Sequence, residues 1–124
     1  MQFGEIIKGN AGTITLSPYG KEITTGGLIL HNDILISSAI FEVYSQEKVD
    51  HFSVIIPTKD VVLSNKDGQT MIVSNFTSNA TNGSSNFVDN KGILLVGATL
   101  HISENQSLGL YSSTESFPVT VNYN

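Results

Sequence analysis

The sequence predicts an all-β fold in which two antiparallel sheets pack face to face as a sandwich. Short runs rich in Val, Ile, Thr, Phe and Tyr recur along the chain, and Gly, Asn, Asp and Pro separate them. Within these runs apolar and polar residues alternate, as they do in a strand with one buried face. No long segment carries the apolar spacing of an amphipathic helix. The chain has 124 residues, the usual size of one domain, so we expect residues 1–124 to form a single β-sandwich.

The alternation assigns an inward face to each predicted strand. Two further apolar runs, residues 61–63 and 70–76, flank a turn and are also predicted to be strands. The residues predicted to face the core are Ile14 and Leu16 in the run 13–16, Ala39, Phe41 and Val43 in 39–44, Phe52, Val54 and Ile56 in 51–56, Ala98, Leu100 and Ile102 in 98–102, and Phe117, Val119, Val121 and Tyr123 in 117–123.

Three short segments have the composition of turns. Residues 17–20 place proline and glycine where turns favour them. Residues 65–68 predict a hairpin turn in which Gly68 adopts a positive φ, and residues 89–92 predict a second hairpin turn. The segment 74–90 is rich in Asn, Ser and Thr, and it is predicted to begin as a strand and continue as a mobile polar loop.

The composition limits the classes of partner. Charged residues make up 14% of the chain, against about 25% in an ordinary soluble domain. The formal net charge is -5 and there is no arginine, so contacts with nucleic-acid phosphates are not expected. No stretch approaches the ~20 apolar residues that span a bilayer, so membrane insertion is not expected. The absence of cysteine excludes disulfides and thiolate metal sites.

No constellation of catalytic or metal-binding residues is recognisable. The three histidines, His31, His51 and His101, lie in different segments without the spacing of a zinc motif. The serines lack the G-x-S-x-G context of a hydrolase nucleophile. Residues 65–68 hold only the turn of a calcium loop, without its further oxygen ligands. We therefore expect no catalytic, cofactor-binding or metal site, no cofactor and no enzymatic activity.

The sequence shows two kinds of surface feature, glycosylation sequons and exposed tyrosines, whose roles it does not determine. Four asparagines head N-x-[ST] sequons: Asn75, Asn79, Asn82 and Asn105. Their glycosylation depends on whether the producing cell modifies exported proteins. Tyr19 and Tyr44 are predicted to be partly exposed, whereas most other aromatic residues fall on inward-facing positions or strand ends.

Several motifs, taken in their order along the chain, resemble one bacterial protein family. They are Phe3-Gly4-Glu5-Ile6 and residues 12–20 at the start, residues 41–43, 52–57 and 71–76 in the middle, and residues 96–100, 109–111 and 119–124 at the end. The ordered set resembles the secreted family catalogued as domain of unknown function 4402, over essentially the whole chain. The G-A-T-L and G-x-Y…V-T-V-x-Y pieces are the most specific. The chain is also similar to spore-coat-U and archaic chaperone–usher pilin domains.

The resemblance implies an immunoglobulin-like, pilin-like antiparallel β-sandwich in a protein exported to the bacterial surface. Pilin domains of this class polymerise by donor-strand exchange, in which a segment of one subunit completes the sheet of the next. By this resemblance we expect a structural subunit of an extracellular pilus- or fimbria-like filament that self-associates as a homopolymer. A periplasmic chaperone and a host or cell-surface glycan are the further partners it implies.

The chain differs from these families in two ways. Pilins of this class often carry cysteines, and this chain has none. Family members normally have a signal peptide and a β-rich segment before the F-G motif, which here is Phe3-Gly4. We expect the export signal and the first strand to lie outside residues 1–124. A sandwich that lacks one strand exposes a sheet edge, and a strand from another chain can pair with that edge. The residues expected at this partner-strand interface are Phe3, Ile6, Val119, Val121 and Tyr123.

The alternative function is an extracellular adhesion or carbohydrate-binding module. It predicts exposed aromatic rings beside polar side chains, with Tyr19, Tyr44 and the segment 74–90 as the regions concerned. Strand pairing between subunits would distinguish the filament, and glycan binding that depends on a tyrosine would distinguish the module.

Overall fold

The computed structural model describes residues 1, 6–8, 11–26, 29–30, 37–46, 49–104, 106, 111 and 117–123. In this part of the chain all the regular elements are β-strands, and no helix is long and apolar enough to cross a membrane. The strands are β1 (Ile6–Lys8), β2 (Gly12–Leu16), β3 (Glu22–Thr24), β4 (Ile29–Leu30), β5 (Ala39–Tyr44), β6 (His51–Ile55), β7 (Val61–Ser64), β8 (Thr70–Ser78), β9 (Ser84–Asn86), β10 (Lys91–Ile102) and β11 (Thr120–Tyr123).

The strands form a larger sheet, a smaller sheet and one separate pair, all antiparallel. The larger sheet has six strands in the order β3-β2-β10-β8-β7, with β5 also paired to β10. Strands β5 and β2 follow one another along one edge of β10, and β8 pairs along its other edge. The smaller sheet has three strands in the order β11-β6-β9, and β1 pairs with β4.

The residue pattern of β10 suits its central position. Every second residue from Gly92 to Ile102 is buried, and Leu94 and Val96 are wholly shielded from solvent. Burying one such aliphatic side chain stabilises the fold by about 1.5–3 kcal/mol relative to leaving it exposed. The long inward face of β10 therefore supplies a large part of the core.

The core lies between the two sheets. Phe52 and Val54 of β6 pack in one cluster with Ile14 of β2, Val73 of β8 and Leu100 of β10. Side chains from both sheets thus cover one another, as in a sandwich. The prediction of an all-β antiparallel sandwich is confirmed, and so are the inward faces predicted for β2, β6 and β10.

Two residues predicted to face inward are exposed. Phe41 is 38% exposed although Ala39 and Val43 on the same face of β5 are buried, because β5 lies at the rim of the larger sheet, where the core covers its inner face only in part. Tyr123 is 57% exposed at the end of β11. The predicted strand 117–123 is also too long, since β11 begins only at Thr120, although Phe117 still packs against the core.

Two of the three predicted turns are confirmed. In the first, the Gly20 N–H donates to the Ser17 carbonyl at 3.0 Å. In the second, the Gly68 N–H donates to the Asn65 carbonyl at 3.2 Å. Both glycines have a positive φ, which an L-residue adopts only at a cost.

The third turn lies one residue earlier than predicted. Val88 and Lys91 exchange backbone hydrogen bonds, and Asp89 and Asn90 between them have φ values of 53° and 62°. Two central residues with positive φ define a type I′ hairpin turn. Gly92 is therefore a buried residue of β10, and its missing side chain leaves room for a phenylalanine ring of β6.

The segment 74–90 begins as a strand, as predicted, but a further short strand and two tight turns take the place of one continuous polar loop. β8 continues to Ser78, and β9 follows after a short connection. Paired backbone hydrogen bonds on either side of Asn82-Gly83 close a type I′ turn, in which both residues have positive φ. Asn-Gly is the pair that this turn favours most, so the sequence did contain the signal.

Gly97 lies where the neighbouring chain leaves no room for a side chain. A Cβ at Gly97 would overlap the Leu16 carbonyl oxygen and lie 2.7 Å from the Ser17 carbonyl carbon. The backbone of residues 16–18 passes close to Gly97 as it leaves β2 for the turn that leads to β3. Ala98 and Leu100, on the opposite face, are buried in the core, so packing accounts for most of the G-A-T-L piece.

Gly97→Ala is expected to destabilise the domain by about 3 kcal/mol, because the added methyl meets backbone atoms that cannot rotate away. Gly20→Ala is the control, because an added Cβ at Gly20 would meet nothing within 4 Å. Its cost is the positive φ alone, about 1 kcal/mol. Urea unfolding of both variants measures the difference, and equal losses would contradict the steric argument.

Candidate functional site

The predicted partner-strand interface is only partly assembled in the structure. Val119 and Val121 are half-buried and pack against the core, and Tyr123 lies two residues further along the same strand. Ile6 begins β1, which pairs with β4, so the described pairings do not bring it to β11. Phe3 lies outside the described residues. The candidate interface is therefore the edge of β11.

The hydrogen bonds of β6 show which way its backbone groups point. The Val54 N–H donates to the Gly83 carbonyl at 2.8 Å, next to β9. Along a strand, successive residues direct their N–H and C=O groups to opposite sides. The groups of Ser53 and Ile55 therefore point the other way, toward β11.

This alternation fixes the orientation of β11 as well. Thr120 lies opposite Ile55 and Asn122 opposite Ser53, so Thr120 and Asn122 bond to β6. The N–H and C=O groups of Val121 and Tyr123 then point to the other edge of β11. Among the described strands none pairs with that edge. An edge of this kind is a template for a further strand.

A groove of about 810 Å³ borders the beginning of β11 and the edge strand β7. The Asn65 N–H donates to the Gln69 carbonyl across the hairpin, toward β8. By the same alternation, the backbone groups of Val62 and Ser64 point away from β8. The lining includes Ile55, Ile56, Val62, Phe117, Pro118 and Thr120. The free edge of β7 and an apolar surface beside the start of β11 thus meet in one concave region.

An aromatic ladder holds the end of β11 in place. The rings of Phe52 and Phe87 are 4.8 Å apart, and those of Phe87 and Tyr123 are 5.9 Å apart and nearly parallel. Pairs at these separations contribute about 0.5–1.5 kcal/mol beyond the area they bury. The exposed Tyr123 ring is therefore tied to the smaller sheet through Phe87.

A second candidate site lies on the outer face of β5 and β10. The Tyr44 hydroxyl donates to Glu42 Oε2, and Lys91 Nζ lies 3.2 Å from Glu42 Oε1 and 5.9 Å from the centre of the Tyr44 ring. The Tyr44 hydrogen bond, with help from the Lys91 ammonium, holds the pKa of Glu42 below its usual value. The bond to Glu42 raises the pKa of both Tyr44 and Lys91.

Both tyrosines predicted to be exposed are exposed. Tyr44 is 56% exposed and Tyr19 is 75% exposed. Tyr19 lies in the first turn, and within the described part of the chain its side chain has no hydrogen bond or ring contact. Of these two tyrosines, Tyr44 is therefore the one whose side chain is held by contacts with its neighbours.

The outer face of the larger sheet also carries a band of hydroxyl groups and one histidine. Ser74 Oγ lies 2.6 Å from His101 Nε2, and Thr15 Oγ1 lies 3.0 Å from Thr99 Oγ1. Pairing β8 and β2 with β10 brings these residues together, which sequence spacing does not reveal. A serine hydrolase needs a carboxylate to orient its histidine and donors for the oxyanion. Among the described residues no carboxylate contacts His101, so we assign no catalytic role to Ser74 and His101.

The other histidines give no metal centre in the described part of the chain. His51 lies at the exposed start of β6, and His31 is outside the described residues. No group of three or more His, Cys, Asp or Glu side chains is close enough to hold a metal ion among the residues that the structure describes.

The four sequon asparagines lie in different environments. Asn75 and Asn82 are exposed and have positive φ, and Asn105 lies outside the described residues. The Asn79 carboxamide is engaged with β10, because its Nδ2 donates to the Ile93 carbonyl at 3.1 Å and its Oδ1 accepts from the Leu95 N–H at 2.9 Å. The side chain thereby extends the β8–β10 ladder by one step.

Comparison with known proteins gives one match. The family described as "Domain of unknown function (DUF4402)" matches residues 1–123. No curated protein and no solved structure matches the chain.

Replacing the Tyr44 hydroxyl is expected to raise the pKa of Glu42. In Tyr44→Phe the carboxylate loses the hydrogen bond from the Tyr44 hydroxyl, so its pKa moves back toward the ordinary value. A depressed carboxyl pKa stabilises the fold above the unfolded-state pKa, and this contribution is lost as pH falls through the folded-state pKa. Carbon-detected NMR titration of Glu42 measures the change. Tyr19→Phe is the control, and an unchanged Glu42 pKa in Tyr44→Phe would refute the assignment.

Removing the Asn79 carboxamide is expected to destabilise the domain by about 1–3 kcal/mol, because a backbone donor and acceptor of β10 lose their partner. Asn79→Ala tests this by urea unfolding. Asn122→Ala is the control, since Asn122 is exposed and its side chain has no hydrogen bond within the described residues. A loss no larger than that of the control would show that water replaces the Asn79 side chain.

Proposed function

The chain belongs to the DUF4402 family, and we propose that it is a structural subunit of an extracellular bacterial surface filament. In this proposal copies of the domain are joined by β-strand addition into a homopolymer. The subunit has no catalytic role and no cofactor. The family description assigns no activity. The strand edges of the domain support the proposal.

The edge of β11 is the observation that supports the proposal. Val121 and Tyr123 direct their N–H and C=O groups to an edge that no described strand occupies. Backbone groups at such an edge gain hydrogen bonds when a strand from another chain pairs with them. Val119 and Val121 meanwhile pack against the core, so an added strand would extend a sheet that is already anchored.

The neighbouring groove supports the same proposal. It joins the beginning of β11 to the free edge of β7, and Ile55, Phe117 and Pro118 give it apolar walls. An extended segment with alternating apolar side chains can bury them there while its backbone pairs with an edge. Before assembly the same edge needs protection from irregular pairing. A periplasmic chaperone that pairs with β11 is the partner we propose for that stage.

Val121→Pro is expected to abolish self-association while leaving the domain folded. Proline lacks the N–H that Val121 directs to the free edge, but the bonds of Thr120 and Asn122 to β6 remain. Light scattering over a concentration series, with electron microscopy of the same samples, is expected to show oligomers or filaments of the wild type and only monomers of the variant.

Val121→Ala is the matched control, because it shortens the side chain and keeps the N–H. It is expected to assemble as the wild type does, and circular dichroism checks that both variants are folded. A wild-type protein that stays monomeric at every concentration would refute the filament proposal. Equal assembly by Val121→Pro would refute the role of the β11 edge.

A further inference from the structure

The outer face of β5 and β10 carries an exposed platform, which we call the β5–β10 platform. Its exposed members share one side of the two paired strands and are Ile40, Glu42, Tyr44, Lys91 and Ile93, while the half-buried Leu95 lies opposite Ile40 on the same side. Lys91 lies directly opposite Tyr44, and Ile93 lies opposite Glu42. Ile40 is 65% exposed and Ile93 is 49% exposed. Three large apolar or aromatic side chains therefore lie beside one ion pair on an open surface.

The Tyr44 ring is held in one orientation. Its hydroxyl donates to the carboxylate of Glu42, two residues back on the same face of β5, so the ring leans along the strand. The Lys91 ammonium binds the other oxygen of that carboxylate and lies near the ring. Fixing these side chains beforehand lowers the entropy that a ligand would otherwise have to remove on binding.

We propose that the β5–β10 platform binds a neutral saccharide, with a pyranose ring stacked on the exposed face of Tyr44. The C–H face of a pyranose is apolar and packs on an aromatic ring, while its hydroxyl groups point outward. Glu42 accepts hydrogen bonds from those hydroxyls and the Lys91 ammonium donates to them. Ile40 and Ile93 contact the less polar parts of the neighbouring sugar units.

The charges on the platform favour a neutral ligand. Glu42 and Lys91 carry opposite charges and are bonded to each other, so the platform has no net charge. An anionic or cationic ligand would have to compete with this internal pair for either partner. A hydroxylated ligand adds hydrogen bonds to both groups without separating them.

The size of the platform favours a saccharide over a protein partner. A stable protein interface buries about 800 Å² on each partner, roughly 20–30 residues a side. The platform has five exposed side chains, and two of them form the charged pair. A few sugar units fit such a surface, and weak single-site binding is strengthened when many copies of the domain are displayed together.

This inference develops the alternative function of an adhesion module and does not rest on filament assembly. The platform belongs to the larger sheet, whereas the proposed assembly edge is β11 of the smaller sheet. Val121→Pro is therefore expected to bind sugar as the wild type does. Failure of assembly and failure of sugar binding can be told apart in the same set of proteins.

NMR titration of the isotopically labelled Val121→Pro protein, which is expected to stay monomeric, tests the proposal, and the tyrosine substitutions below are made in the same background. The probes are maltohexaose, cellohexaose, mannohexaose, galactohexaose and chitohexaose, all neutral. We expect at least one of them to shift the resonances of Glu42, Tyr44 and Lys91 in a saturable way. Tyr44→Ala is expected to weaken that binding at least tenfold. Tyr19→Ala, which removes a more exposed tyrosine without such neighbours, is expected to leave binding within twofold.

Three results would overturn the proposal. The first is the absence of saturable shifts with all five sugars. The second is binding that survives Tyr44→Ala, which would place the sugar elsewhere. The third is a concentration-dependent shift of the platform resonances without sugar, which would show that a second copy of the chain covers this face. Tyr44→Phe, which keeps the ring and releases it from Glu42, is expected to bind several-fold more weakly than the wild type.

Discussion

The rest of the domain depends on β10 being hydrogen-bonded along both edges while its alternate side chains fill the core. β2 and β5 occupy one edge and β8 the other, so the register of most of the larger sheet is set against this strand. Shifting the register by one residue would turn Leu94, Val96 and Leu100 out of the core. Gly97 belongs to the same constraint, since only a residue without a side chain leaves room for the backbone of residues 16–18 beside β10.

β10 is paired along both of its edges, but other strands of the described structure have one unpaired edge. β7 ends the larger sheet and β11 ends the smaller one, and the groove lies beside both. The proposed assembly uses these edges, whereas the proposed sugar site uses the outer face of β5 and β10. One surface offers backbone hydrogen bonds and the other offers side chains, so the two roles do not compete for the same atoms.

Side-chain amides and hydroxyls complete the network where the strands stop. The Asn79 carboxamide continues the ladder on β10, and Asn65 Oδ1 accepts from the Asp67 and Gln69 N–H groups in the second turn. Hydroxyl pairs also link side chains of β2 to neighbouring segments: Thr13 bonds to Thr25, and Thr15 bonds to Thr99. The many Asn, Ser and Thr residues of this weakly charged chain therefore satisfy backbone and cross-strand groups as well as contacting water.

Period-two alternation by itself determined the fold class and the inward faces of β2, β6 and β10, because one buried face per strand leaves a local signal. Asn, Asp and Gly likewise marked the turns, and the missed turn at Asn82-Gly83 had its signal in the sequence. Only the tertiary structure decided the pairing of Tyr44 with Lys91 and of Ser74 with His101, since cross-strand register depends on long-range packing. It also decided that Tyr123 stays exposed, because that depends on which strands lie beside β11, a neighbourhood that alternation within one strand does not encode.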